Sequence, residues 1–315
     1  MVERVATRLK DLEKDQIMNF GPKMIEMMAS KTLANELNEY KIRKELSAAY
    51  SYNEEYQLAG RTLADMHLDQ VKEYLIRIIP LFSKLGVQNL VEAYVLITEY
   101  FLYAQNNADA YSYITKAAQH IDEITDMYTV LKYKYCYAQV HDANHKFNQA
   151  ASLYLELSQK GAFGVPDTEL QAFLNKAVAC TILAPAGTQR SRLLTLLYKD
   201  ERTRLIEHFD LVEKMYLERF IKMSEVKKFE EGLQAHQKAM TAENYTVLQK
   251  AVLEHNVLAL SKIYTNISFD QLTKLLELSL DKAELLVASM ISEGKIKAHI
   301  NQSDRFVYFE SGIIG

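Results

Sequence analysis

The chain has 315 residues, 49% of them hydrophobic and 25% charged, with a formal net charge of −4. That balance suits a globular protein of about two domains with a core that needs no staple, and it excludes a global attraction to nucleic acid or to an anionic membrane. Only Cys136 and Cys180 could form a disulfide or bind metal through sulfur; they sit in apolar helical runs without metal spacing, so buried free thiols in a reducing compartment are expected.

Met1 to Arg4 opens a charged helical pattern without an apolar core, so no secretory leader is expected, and the longest apolar runs fall short of the ~18 residues that cross a bilayer. Nucleus, cytoplasm or both is the default location. With 4 prolines and 10 glycines, the last proline being Pro185, long helices are favoured.

Residues 1 to about 185 read as consecutive amphipathic helices. Three stretches place a polar turn between two apolar helices and a small residue early in the second helix: Tyr50 to Ala59, Tyr103 to Ala110, and Tyr137 to Ala150. Their alanines, Ala59, Ala110 and Ala150, let the second helix approach the first. The spacing is irregular, as in a degenerate tetratricopeptide-like array, which stacks into a solenoid arm that holds other proteins. Breakers follow at 161–167 and at Pro185-Ala186-Gly187, and the domain boundary is expected near the second, giving an arm over 1–185 and a second domain over 186–315.

Within that second domain, 244–264 carries one apolar helical face with Leu248, Ala251, Val252, His255 and Ala259. Ile267-Ser268-Phe269 is short and β-prone. Ser268 and Gln271 have the capping-box spacing that opens a helix through Leu278. Ala283, Leu286, Val287, Met290 and Ile291 make a helical stripe that ends at Gly294, suited to a left-handed cap. The period then changes to two: Ile296, Ala298 and Ile300 alternate with Lys297 and His299, a turn spans 301–305, and Phe306 to Phe309 returns. Helix, strand, helix, helix, hairpin is the order of a winged helix, over about 244–310. The fold class is all-α with a small β-hairpin.

Candidate chemistry is sparse. His141 and His145 stand at i, i+4, as zinc ligands do on a helix, but the general-base glutamate of a metalloprotease motif is missing and the segment falls at a turn between helices, so a solvated turn is expected. His255 reads as a core histidine. No serine has nucleophile-elbow context and no glycine-rich phosphate loop occurs, so no catalytic, cofactor or metal residue is assigned and no enzyme activity is expected. A winged helix can read DNA. Over 265–310, however, five basic residues face seven acidic ones, leaving −2, and the reading helix opens with Asp281 and Glu284. Over 187–228 ten basic residues against seven acidic leave +3, a solvated face or a docking surface with Arg190 and Arg192 as bidentate partners for a neighbour's carboxylates.

The second half resembles the PCI-domain family, the scaffold subunits shared by the proteasome lid, the COP-nine signalosome and a translation initiation factor. The resemblance lies in Tyr264 to Phe269, Lys282-Ala283-Glu284, Met290 to Ile296 and Val307 to Glu310. Narrower stretches resemble the line of signalosome subunit four: Cys180 to Ala184, Ala186 to Arg192, Tyr198 to Arg202, Leu211 to Arg219, His236 to Ala239 and Ala251 to Asn256. The resemblance covers roughly 40–310. It implies a non-catalytic scaffold whose winged helix docks laterally on neighbouring PCI subunits. It also implies an arm that positions a cullin-RING ubiquitin ligase for removal of its ubiquitin-like modifier by a separate metalloprotease subunit. Lys297, His299, Phe306 and Tyr308 are then the candidate contacts, whichever of them face outward from the hairpin. The equivalent proteasome-lid subunit and a nucleic-acid-binding winged helix are the alternatives. Three departures stand out: a shorter N-terminal helical region, Asn301 and Arg305 where relatives tend to carry an acidic residue and a glycine, and a sequence that stops at Gly315 where relatives continue into a helical tail. The last implies either a shortened chain or assembly mainly through the wing.

Overall fold

The computed structural model describes residues 13–28, 36–66, 83–159, 161, 165–241 and 243–310. The reading of Met1 to Arg4 and residues 162–164 of the 161–167 breaker loop lie outside the described residues. The chain divides into two compact units at Val140/His141. Pro185, where the sequence suggests a boundary, lies inside the second.

The first unit is a succession of helices: α1 (Lys14–Met28), α2 (Glu36–Tyr52), α3 (Tyr56–Ala64), α4 (Ser83–Tyr103), α5 (Asn107–Ala118) and α6 (Met127–Ala143), whose last turn passes into the second unit. Each of the first four packs on its successor. Apolar side chains of α3, α4, α5 and α6 share one core, with Leu63, Tyr94, Ile97, Phe101 and Ile114 almost fully buried. No helix of the described residues is long and apolar enough to cross a membrane.

The repeats found by their alanines have a common backbone cause. Glu54, Gln105 and His145 all adopt a left-handed φ, at 63°, 58° and 57°. The amide one residue later then reaches back to a carbonyl of the preceding helix: Glu55 N to Tyr50 O at 2.9 Å, Asn106 N to Phe101 O at 2.8 Å and Lys146 N to His141 O at 2.8 Å. This bond ties off a helix end that would otherwise leave carbonyls unpaired. In all three cases the alanine follows the left-handed residue at the same interval, and Ala59, Ala110 and Ala150 are fully buried. The turn fixes where the second helix starts, so the same position always meets its neighbours most closely.

The second unit begins with α7 (Phe147–Ser158), α8 (Asp167–Leu183), α9 (Thr188–Lys199), α10 (Phe209–Tyr216) and α11 (Met223–Glu231), with 3-10 turns at Glu201–Leu205 and His236–Lys238. Helix α8 packs against α7, α9 and α10, and against α12 (Val247–Ile263). Thr246 and Gln249 open α12 with a full capping box: Gln249 N donates to Thr246 Oγ1 at 3.1 Å, and Thr246 N donates to Gln249 Oε1 at 3.0 Å. Then come β1 (Asn266–Ser268), α13 (Phe269–Leu276), α14 (Leu280–Ser292), β2 (Ala298–Asn301) and β3 (Phe306–Phe309), the winged helix expected from the change of period. Gly294 adopts φ 68° at the end of α14, as its position predicts.

The inner face of α12 is polar at its centre. Glu254, His255 and Asn256 are all buried. Glu254 Oε2 accepts from Ala186 N at 3.1 Å and Oε1 from Lys295 Nζ at 2.9 Å. His255 Nε2 donates to Arg219 O at 2.8 Å. Asn256 takes Ile221 N at 2.9 Å and donates to Ile221 O at 2.8 Å. Buried groups of this kind must be partnered, because an unpaired one forfeits its hydration without return. One helix thereby holds the α8–α9 link, the α10–α11 link and the start of the wing.

Two substitutions test this packing. A Cβ on Gly60 of α3 would lie 3.0 Å from Phe101 Cε1, and Phe101 is locked in the core. Gly60→Ala should therefore lower stability by about 1–3 kcal/mol despite its better helix propensity, measured as a fall in the urea midpoint at unchanged slope. Burial, and then the nearby Arg190 charge, push the His255 pKa down from 6.5 to about 4, against an opposing contribution from the Arg219 carbonyl. The unfolded chain therefore takes up a proton first as pH falls. Stability is intact above about 6.5 and is lost progressively towards 4, by about 2 kcal/mol between pH 7 and pH 5 from this residue. Urea titrations at the two pH values should show a smaller difference for His255→Gln, which keeps a donor for Arg219 O but does not titrate.

Candidate protein-docking face

The wing is a three-stranded antiparallel sheet in the order β1-β3-β2. The two-stranded hairpin expected from the sequence therefore gains β1 as a third strand, and the strand carrying Phe306 and Tyr308 is the central one. Among the described residues the open backbone edges belong to β1 and β2. Edges of this kind present unpaired N–H and C=O groups to any strand or loop that approaches.

Register sorts the side chains into two faces. Ile267 is opposite Val307, which is opposite Ile300, and Ala298 is opposite Phe309. These pack into the winged-helix core with Leu272, Leu286, Val287 and Met290. The other parity faces outward. Tyr308 lies between Asn266 of β1 and His299 of β2, and Phe306 lies between Ser268 and Asn301. His299 and Tyr308 stack with ring centroids 5.0 Å apart and planes within 6°, and Phe306 is 6.1 Å from Tyr308. Phe309 N bonds Thr265 O and Glu310 N bonds Lys297 O, both at 2.9 Å, so pairing extends one row beyond the named strands.

The structure thus brings four of the six residues singled out from sequence to one end of one module. His299 and Lys297 are exposed, and Phe306 and Tyr308 are half-buried by their neighbours on the same face. Sequence reasoning missed Tyr264, which is 39% exposed just before β1. No alternation in the sequence marks it, because Tyr264, Thr265 and Asn266 are all exposed and only Ile267 is buried.

The two arginines separate. Arg192 is exposed on α9 as a docking residue needs. Arg190 is corrected: it is 2% exposed and donates through Nη1 to Ala184 O at 3.1 Å and Ala251 O at 3.4 Å. Two positions apart on a helix point to different sides, so one of this pair had to turn inward. Burial pulls the Arg190 pKa down to about 10, with the Glu254 carboxylate opposing the shift.

The expected solvated turn at 141–145 is also corrected. His141 and Asp142 are buried at the end of α6, and only the turn proper, Asn144 and His145, is exposed. The two histidines do not share a helical face, because His145 is the left-handed residue of the turn. His145 Nε2 instead donates to His236 O at 3.0 Å. Among the described residues no three His, Cys, Asp or Glu side chains are grouped to hold a metal ion. Cys136 and Cys180 are buried free thiols, and burial pushes the Cys136 pKa up to about 12.

The α14 face that would enter a DNA groove carries exposed Asp281, Leu285 and Ala288, with Lys282 drawn over the Tyr245 ring at 5.1 Å. An acidic and aliphatic surface suits a protein partner better than phosphates.

Comparison with known proteins agrees with this geometry. The PCI domain family model matches residues 208–311, which span α10 to β3. COP9 signalosome complex subunit 4 of Dictyostelium discoideum is 36% identical over 303 residues, covering 96% of this chain and 74% of that protein. Its counterpart from Drosophila melanogaster is 36% identical, covering 98% of this chain and 72% of its own length. That from Emericella nidulans is 33% identical, covering 96% and 73%. At this identity and coverage, the chain, with its helical repeats and PCI winged helix, belongs to the COP9 signalosome complex subunit 4 family.

Proposed function

We propose that this chain is a non-catalytic scaffold subunit of the signalosome, that it assembles with the other subunits through its winged helix, and that its helical arm helps to hold a cullin-RING ubiquitin ligase while a separate metalloprotease subunit removes the ubiquitin-like modifier. Nucleus and cytoplasm are the proposed compartments. The observation that carries the reading is the outward aromatic ladder of Phe306, Tyr308 and His299 beside the open β2 edge. Aromatic side chains on a rigid sheet give large contact area with little entropy left to lose, the usual character of interface anchors. A neighbour docking laterally would cover both the ring faces and the unpaired edge groups. Arg192 is exposed on a different element, where it can reach a carboxylate.

The test is affinity purification of the tagged chain from its native cells, with mass spectrometry of stoichiometric partners. The other signalosome subunits, the metalloprotease subunit among them, should be recovered. The pair His299→Ala and Tyr308→Ala should cut that recovery at least about tenfold, equivalent to about 1.4 kcal/mol or more, with only a modest fall in melting temperature from the lost cross-strand stacking, because neither side chain is in the core. Recovery of proteasome-lid subunits, or of nucleic acid alone, would reject the assignment. Undiminished recovery by the double variant would reject the docking face.

A further inference from the structure

A cavity of about 350 Å3 opens in the second unit and shares no residue with the sheet. Its floor includes the carboxylate of Asp142, 5% exposed, and the carboxamide of Gln237. Asp142 Oδ1 accepts from His236 Nε2 and Gln237 Nε2, both at 3.0 Å, and Oδ2 accepts from Gln237 Nε2 at 3.1 Å. Gln237 is a neutral donor, so its two bonds leave the carboxylate's charge in place at the floor. One wall is apolar, from Phe229, Leu233 and Leu205, and Leu205 stands 80% exposed at the mouth. Gln171 and Asn175, one turn apart on α8, set exposed carboxamides along the rim. Glu207 lines the same space. Its ion pair with Lys228, at 2.7 Å, is exposed on both sides and therefore readily exchanged. Against these two carboxylates stands one lining ammonium, Lys176, which leans over the Tyr154 ring at 5.5 Å.

We infer that this cavity receives an arginine side chain presented by a protein partner. The aliphatic stem lies along Phe229 and Leu233. The planar head sits between Glu207 and the amide oxygens of the rim, in the potential set by Asp142. Arginine fits this lining better than lysine because five fixed N–H donors can satisfy several acceptors at once. A carboxylate ligand would meet Asp142 and Glu207 with the same sign. Leu205 points to a peptide rather than a free polycation, because an exposed aliphatic at the mouth offers contact only to residues flanking the arginine.

The probe is the peptide acetyl-Gly-Leu-Arg-Leu-Gly-amide, titrated into the full chain with methyl resonances of Leu205 and Leu233 as the readout. Saturable shifts with a Kd near or below about 1 mM are expected. Glu207→Lys should weaken binding at least about tenfold, and Leu205→Ser should weaken it by a smaller factor, each with an unchanged melting temperature since both side chains are exposed. The peptide with glutamate in place of arginine should not bind. Absence of shifts, equal binding of the glutamate peptide, or indifference to Glu207→Lys would overturn the site. Spermidine binding as tightly as the arginine peptide would overturn the choice of a protein partner.

Discussion

Three consecutive side chains of α12, Glu254, His255 and Asn256, turn inward, and each ties a different stretch of backbone to the same helix. Ala186, Arg219 and Ile221 lie in links between helices, where backbone groups have no ladder to complete. Lys295, which leads into β2, is held by Glu254 from one side and by Glu293 at 2.7 Å from the other. An apolar helix could fill the same volume, but it would leave those carbonyls and amides without partners. The polar centre of α12 therefore fixes how the winged helix follows the helices before it, and with that the direction in which its sheet faces. Ala251 to Asn256 is also one of the stretches that resemble the subunit-four line, and these bonds are a physical reason for so polar a sequence at that place.

Much of the fold was legible because periodicity reports burial directly. The stripe from Ala283 to Ile291 and the alternation after Gly294 each have one inner face: Ala283, Leu286, Val287, Met290 and Ile296 are buried, and Ile291, Ala298 and Ile300 partly so. The repeat alanines were visible because a recurring turn forces a recurring close approach. What sequence could not give was anything decided by contact between distant segments. Arg190 and Arg192 look alike in a basic stretch, and only the packing of α9 near α12 separates them. The turn at 141–145 looks polar enough for solvent, yet Asp142 is claimed by Gln237 from a 3-10 turn about ninety residues away. The segment that forms β1 is β-prone by composition, but its place beside β3 is a pairing across the whole module.

The sheet face and the cavity differ in kind. On the sheet, flat rings and an open edge offer area and a few backbone groups, with one base and one acid, Lys297 and Glu310, in the end row. The cavity offers a buried charge, a short apolar wall and a rim of amides. The first suits a broad neighbour held at a fixed angle; the second suits a single side chain. Both rest on rigid elements of the second unit.

The order of strands in the sheet has a consequence for the making of the protein. β3 is central, yet it is synthesised after both of its neighbours, and Asn266 waits for a partner about forty residues further on. Until that partner emerges, β1 and β2 have no strand to pair with, and the apolar sides of Ile267 and Ile300 stay uncovered. The interval is a natural point for a chaperone to act, or for wrong pairing with another nascent chain. Insertion of β3 between its neighbours then closes the core and completes the outward ladder in one event, so a protein that has not finished folding does not yet display the face by which we propose it is assembled.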